Sequence, residues 1–301
     1  MKKITLVLFV TLFAAGSLFA TGGQEEPLLG TEENPIVWAL VPSGETQQIV
    51  AGADEFARML EQETGYAFET VVATDYAGVI EALASDPPEA HMAALNTFGA
   101  ILAAERGVAE VGLVAVRYGR PFYDGQILAH ADSGIESVAD LAGKTFARPD
   151  PNSTSGWIVP TIVMAAAGVQ APEDLADVLD AGGHQAVATA IYSGSADAGA
   201  TFIDARDDLE EDYPDVKDVV VKVDEFGPIP NDGIQYATVM DPEMRETITE
   251  AFLKLMETEE GAAAMDRVYE WTEVVRQDDS FYDPFRQVLQ SSGLDLQAFV
   301  E

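Results

Sequence analysis

From Ile36 onward, short apolar runs of strand length alternate with longer segments whose apolar residues recur every three or four positions. That alternation predicts βα units around largely parallel sheets, because a parallel strand pair needs a crossover long enough to hold a helix. Strands are expected at 36–41, 67–73, 91–95 and 111–117, with helices at 45–63 and 76–84 among them. The rhythm resumes with a strand from Lys144, a helix over about 157–167 and a strand-turn-helix ending at Tyr192. A strand in "ADAGATF", an acidic helix over 204–212, strands at 219–223 and 234–239, and helices from Pro242 complete it. Two stretches break the pattern. Residues near 121–126 and 227–233, the second containing "GPIPND", carry turn residues in extended sequence. They border a central block of about 110 residues, an ordinary domain size. One lobe inserted into another through two crossings accounts for them. The expected first lobe is 35–122 with 234–301, the second is 123–233, and a cleft lies between.

Residues 1–20 stand apart. Lys2 and Lys3, the apolar run 4–15 and small residues up to Ala20 form the charged, hydrophobic and cleavable parts of a secretory signal peptide. The run is too short to span the ~30 Å hydrocarbon core of a bilayer. A polar, flexible tether is expected over 21–34, then a soluble protein secreted to the periplasm. The chain has no cysteine, so neither a lipid-anchor thiol nor a disulfide is expected. The net charge of −36 argues against nucleic acid and anionic membranes as partners. The acidic residues are spread through periodic segments and 48% of the chain is hydrophobic, so this is a folded acidic protein and not an acidic tail. Three isolated histidines, His91, His130 and His184, lack metal-ligand spacing, so no metal and no cofactor are expected.

The stretch "DPNSTSGWIVP", 150–160, sets three hydroxyls and a glycine at an expected helix start. A helix N-terminus leaves about four N–H groups unpaired and carries roughly half a positive charge. Hydroxyls there, with a glycine allowing close approach, make an anion seat that needs no lysine. A simple helix cap is the competing reading. A serine nucleophile is disfavoured, because "STSGW" lacks the first glycine of a nucleophile elbow and no acid, base and nucleophile set accompanies it. His184 follows Gly182–Gly183 and opens another helix in the same lobe. In open α/β sheets such strand-to-helix turns gather where ligands bind.

With these segments the chain resembles the substrate-binding proteins of phosphate, phosphite and phosphonate ABC transporters. The resemblance rests on "TDYAGVIEAL", "YDGQILAHADSGIESVADLAGKTFA", "DPNSTSGWIVP", "AGGHQAVATAIYSGSADAGATFIDAR" and "IPNDG", in the family's order. It implies the α/β type II periplasmic binding fold, two lobes that close on a ligand. It implies further that Ser153, Thr154, Ser155 and His184 hold an oxyanion from the central lobe, with Tyr76, Thr97 and Tyr123 facing it. Asp204 and Asp232 fall where aminoalkylphosphonate binders place carboxylates against an ammonium. Their competing readings are an N-cap and a turn residue. The function expected is a monomeric periplasmic receptor that passes a phosphorus oxyanion to a membrane permease and its ATPase, and not an enzyme. A receptor for another small solute, or one that feeds a sensor kinase, is the alternative.

Overall fold

The computed structural model describes residues 27–293. The expected signal peptide lies outside them. One sheet is built by β1 (Ile36–Leu40), β2 (Phe68–Val72), β3 (Met92–Leu95) and β4 (Ala109–Val116), with α1 (Thr46–Thr64), α2 (Tyr76–Ala84) and α3 (Thr97–Glu105) between successive strands. The chain then enters a second sheet through β5 (Phe122–His130) and β6 (Thr145–Arg148). A π-helical turn (Thr154–Ile158) leads there into α4 (Val159–Ala166), followed by β7 (Asp177–Asp180), α5 (His184–Tyr192), β8 (Ala198–Phe202), α6 (Val216–Val219) and β9 (Val220–Pro230). It returns through β10 (Gly233–Ala237), α7 (Pro242–Met256), α8 (Glu259–Tyr269), β11 (Glu273–Arg276) and α9 (Asp283–Ser291).

The strand orders are β11-β4-β10-β3-β1-β2 and β7-β6-β8-β5-β9. Each sheet has a parallel half, β2-β1-β3 in one and β7-β6-β8 in the other. The other half of each is antiparallel, which corrects the expectation of largely parallel sheets. The cause is the double crossing. β4 leaves the first lobe beside the returning β10, and β5 enters the second beside the departing β9, so each neighbouring pair runs in opposite directions. The crossings themselves are short, 117–121 and 231–232.

The first lobe is centred on aromatic packing. Phe56 of α1 and Phe252 of α7 meet at 4.4 Å between ring centroids, and Trp38 of β1 stands edge-on to Phe252 at 5.9 Å. The second buries Leu128, Val187 and Ile191 of its strands and α5 completely, with Phe146 beside Trp157 at 6.1 Å between ring centroids. Fully burying one such side chain contributes about 1.5–3 kcal/mol.

Several local expectations change. The tether does not extend to residue 34. From Pro27 it folds against the first lobe, with Gly30 N–H donating to Asn34 O at 2.8 Å and Ala67 N–H donating to Gly30 O at 2.8 Å. Residues 204–212 form turns around a single 3₁₀ turn at Asp207–Leu209 instead of a helix. "DDLEED" would stack like charges at helical spacing, which destabilises a helix, and Lys217 instead gathers Asp207 and Glu210, each at 2.6 Å. β9 runs on through "GPIP" because it is an edge strand, where proline costs no ladder bond. Among the described residues, no helix is long and apolar enough to cross a membrane.

Candidate functional site

Between the lobes lies a cavity of about 610 Å³, and four helical N-termini converge on it. From the first lobe come Tyr76, the first residue of α2, and Asn96, the N-cap of α3. From the second come Ser153, Thr154 and Ser155 at the π turn, and His184, the first residue of α5. Tyr123, near the start of β5, and Asp232, in the second crossing, join them.

The serine-rich segment is fixed locally. Ser153 is the cap, its Oγ accepting from Gly156 N–H at 3.2 Å, while its carbonyl accepts from both Trp157 and Ile158 at 3.0 Å. That double acceptance is the widened turn, a feature often seen at functional positions. Gly156 serves packing: a Cβ there would stand 2.2 Å from Pro149 Cδ. The hydroxyls of Thr154 and Ser155, both buried, are therefore beyond what the cap requires.

Thr154 joins the lobes. Its Oγ1 accepts from Phe98 N–H at 3.0 Å and from Asn96 Nδ2 at 2.9 Å, so its own proton is what it has left to donate. Asn96 Nδ2 also reaches Asn152 O at 2.8 Å, and His184 N–H donates to Ser43 O at 3.1 Å. Asp150, buried, accepts from Asn152 N–H at 2.6 Å and from Tyr76 N–H across the gap at 3.2 Å. Burial holds its carboxyl above the usual range despite those bonds. These bonds hold the two lobes against each other across the cavity.

Where the helical starts meet, the polar groups facing the cavity are neutral donors. Burial, then the charge of Asp150, pushes the Tyr76 phenol well up, with Ser153 as a side-chain partner. Tyr123 is pushed up to about 12, again chiefly by burial, with Ser155 and Thr97 as hydroxyl partners. Burial, with the charge of Arg117 as a second cause, drives His184 down to about 3. Its Nδ1 accepts from Phe202 N–H at 3.3 Å, which places the remaining ring proton on Nε2. His91 and His130 are structural: each Nδ1 accepts a backbone N–H, from Val37 and Asp132, both at 3.1 Å.

Three expected site residues are placed differently from the expectation. Thr97 is fully buried and lies behind the cavity wall, donating to Pro230 O at 2.6 Å. Asp204 is outside the cavity, its side chain 57% exposed on a left-handed residue with φ of 61°. As the expected helix does not form, it is no N-cap either; its carbonyl accepts from Asp207 N–H at 2.8 Å. Asp232 does line the cavity, but its carboxylate is taken. Arg117 Nη1 binds Oδ1, Arg117 Nη2 binds Oδ2 at 3.0 Å, and Trp271 Nε1 donates to Oδ2 at 2.8 Å.

Residues 38–282 match the family model described as ABC transporter, phosphonate, periplasmic substrate-binding protein. The chain belongs to this family. Its members are transport receptors and not enzymes. The chain is 33% identical over 229 residues to the phosphate-import protein PhnD of Mycolicibacterium smegmatis, covering 72% of this chain and 70% of that one. It is 24% identical over 292 residues to the phosphonates-binding periplasmic protein of Escherichia coli, covering 95% and 84%. Among solved structures, a binding protein component of an ABC phosphonate transporter from Pseudomonas aeruginosa superposes with a TM-score of 0.78 at 24% identity, covering 86% of this chain and 87% of that one. PhnD1 of Prochlorococcus marinus in complex with methylphosphonate superposes with a TM-score of 0.75 at 12% identity, covering 86% and 98%. The fold is that of the type II periplasmic binding proteins.

Sequence reasoning missed Arg117 and Asp150. Arg117 fell at the end of the expected strand 111–117, outside the crossing expected near 121–126, so nothing in the sequence set it beside Asp232. Asp150 sits inside the recognised motif, yet its partner Tyr76 N–H is far away in sequence and invisible to any local reading.

Proposed function

We propose that this receptor closes on a small phosphorus oxyanion such as phosphonate, phosphite or phosphate, and presents it to the permease and ATPase of an ABC importer. The observation that carries this reading is the convergence of uncharged donors at helical N-termini from both lobes. Tyr76, Tyr123, Ser153, Thr154, Ser155 and His184 would hold the oxyanion, and the partial positive charge of the helix starts supplies the electrostatics. Each hydrogen bond to a charged group contributes about 1.5–3 kcal/mol, so five or six outweigh the ordering and desolvation costs. The acidic exterior does not prevent binding, because exposed charges are screened beyond ~8 Å at physiological salt. The names of the relatives point the same way. The protein acts as a secreted monomer, with lobes bounded by the crossings at 117–121 and 231–232.

Calorimetry and thermal unfolding with phosphate, phosphite and methylphosphonate test the reading, since a ligand that binds only the folded state raises the melting temperature. At least one should bind at micromolar concentration or below. Flat titrations and unchanged melting with all three, on protein that mass spectrometry finds ligand-free, would end it.

A further inference from the structure

Two of the three half-buried carboxylates in the cavity wall, Asp124 and Asp232, are bound by an arginine. Asp124 is bound by Arg120 Nη2 at 2.8 Å. Asp232, whose side chain is 16% exposed, is gripped on both oxygens by Arg117. Glu270 is the third: burial holds its carboxyl above the usual range, and the field of the same guanidinium offsets only part of that. The other wall carboxylates, Glu45, Asp208, Glu211, Asp212 and Asp266, are exposed to solvent, where water and salt weaken any pairing. Only a desolvated carboxylate adds much to holding a ligand's ammonium.

We propose that Arg117 sets the specificity of this cleft: by occupying Asp232 from within the fold, it selects phosphorus oxyanions that carry no ammonium over aminoalkylphosphonates. This rests on the oxyanion reading above and narrows it. A bare carboxylate at this position would repel an anionic ligand and reward one that brings its own cation. The guanidinium removes both effects at once. Its fork matches the carboxylate with two parallel bonds, a geometry lysine lacks. Nor is Arg117 free to swing away: Nε donates to Tyr269 O at 2.9 Å and Nη1 to Asn231 Oδ1 at 3.0 Å. The pair joins the two crossings, where Ala115 N–H also donates to Asp232 O at 2.8 Å, so it is part of the scaffold. Arg117 also stands 6.0 Å from the Tyr123 ring, a further contact that holds it in place.

The test compares 2-aminoethylphosphonate with propylphosphonate, a ligand of similar size without the amine, by calorimetry on the full protein. The wild type should bind propylphosphonate at least as tightly. Arg117→Gln bares Asp232 and should shift the affinity ratio toward the amine by about ten-fold or more, the scale of one charge pair. A purely structural role for Arg117 would weaken both ligands alike and leave the ratio unmoved. Arg117→Lys keeps the charge but loses the fork, so a smaller shift of the ratio toward the amine is expected. It carries the comparison if Arg117→Gln unfolds below the assay temperature, and an unchanged ratio in it then counts against the proposal. A wild type that prefers the amine ligand ten-fold, or a folded Arg117→Gln with an unchanged ratio, overturns the proposal. Those outcomes leave phosphite or methylphosphonate binding intact, so they are distinct from a failure of the oxyanion reading.

Discussion

The second-lobe wall and the floor at the crossings use opposite chemistry. The wall presents hydroxyls and a neutral imidazole from two short segments, 153–155 and His184, each at a helical start. The floor is charged, and it is assembled from Arg117, Asp232 and Trp271, which are far apart in the sequence. Neutral donors with fixed dipoles attract an anion without needing a counter-charge of their own. The charges of the floor are spent on each other. Affinity should therefore reside in the wall and selectivity in the floor, and variants of the two regions should differ in kind as well as in size.

The largest effect is expected at Thr154. Valine keeps the shape and removes the hydroxyl, which costs the ligand bond and both lobe-spanning bonds from Phe98 and Asn96. Together these losses should weaken binding by about 3 kcal/mol, with only a small change in melting temperature when no ligand is present. A variant that melts early but binds normally would return Thr154 to a structural role.

His184 comes next. Alanine should reduce affinity by about 1.5–3 kcal/mol, and glutamine by less, because its amide can donate in place of Nε2–H. The imidazole also leaves a signature in acid. It takes a proton near 6.5 when unfolded but only near 3 in the fold. Between those values the unfolded chain binds more protons, so stability falls as the pH drops through this window. His184→Gln lacks this contribution. Urea midpoints measured at pH 7 and pH 4.5 should fall further in the wild type than in the variant, and equal falls would mean that the ring is not held neutral.

Asp150 tests the seam between the regions. Replacement by alanine removes the acceptor for Tyr76 N–H, a bond that spans the lobes. About 1 kcal/mol of affinity should be lost, the usual net worth of one hydrogen bond. Asparagine keeps one acceptor oxygen and should lose less. An alanine variant with undiminished affinity would show that closure does not depend on this contact.

The same contrast separates what the sequence disclosed from what it hid. The elements of the second-lobe wall were legible because caps, glycines and hydroxyls act within a few residues of one another, so "DPNSTSG" announced a helical start. Turn residues in extended sequence near 121–126 and 227–233 marked the region of the crossings but not their place. Most of those residues belong to β5 and β9, and the crossings are 117–121 and 231–232. Hidden were interactions set by topology. Nothing local marks Arg117 as the partner of Asp232, and without that partner the aspartate read as a free carboxylate. The antiparallel halves of the sheets were missed for a related reason: local periodicity gives a strand no direction. The helix expected at 204–212 failed because apolar spacing was weighed without the repulsion of five acids in six residues.

The smallest effect is expected at Asp204, the acid that the resemblance would place against a ligand ammonium. Its side chain is 57% exposed, it lies outside the cavity, and Arg206 is 3.9 Å away. An exposed pair at that separation contributes roughly 0–1 kcal/mol. Asparagine has the same shape and tolerates the left-handed backbone about as well as aspartate does, so neither folding nor binding has much to lose. Asp204→Asn should match the wild type within about two-fold in affinity for propylphosphonate and for 2-aminoethylphosphonate alike. The comparison matters because both acids were expected to play one part. If Asp204→Asn selectively weakens the amine ligand, the carboxylate must swing into the cleft when ligand binds, and selectivity is not confined to the floor. If it changes nothing while Arg117→Gln moves the ratio, charge selection belongs to the pair at the crossings.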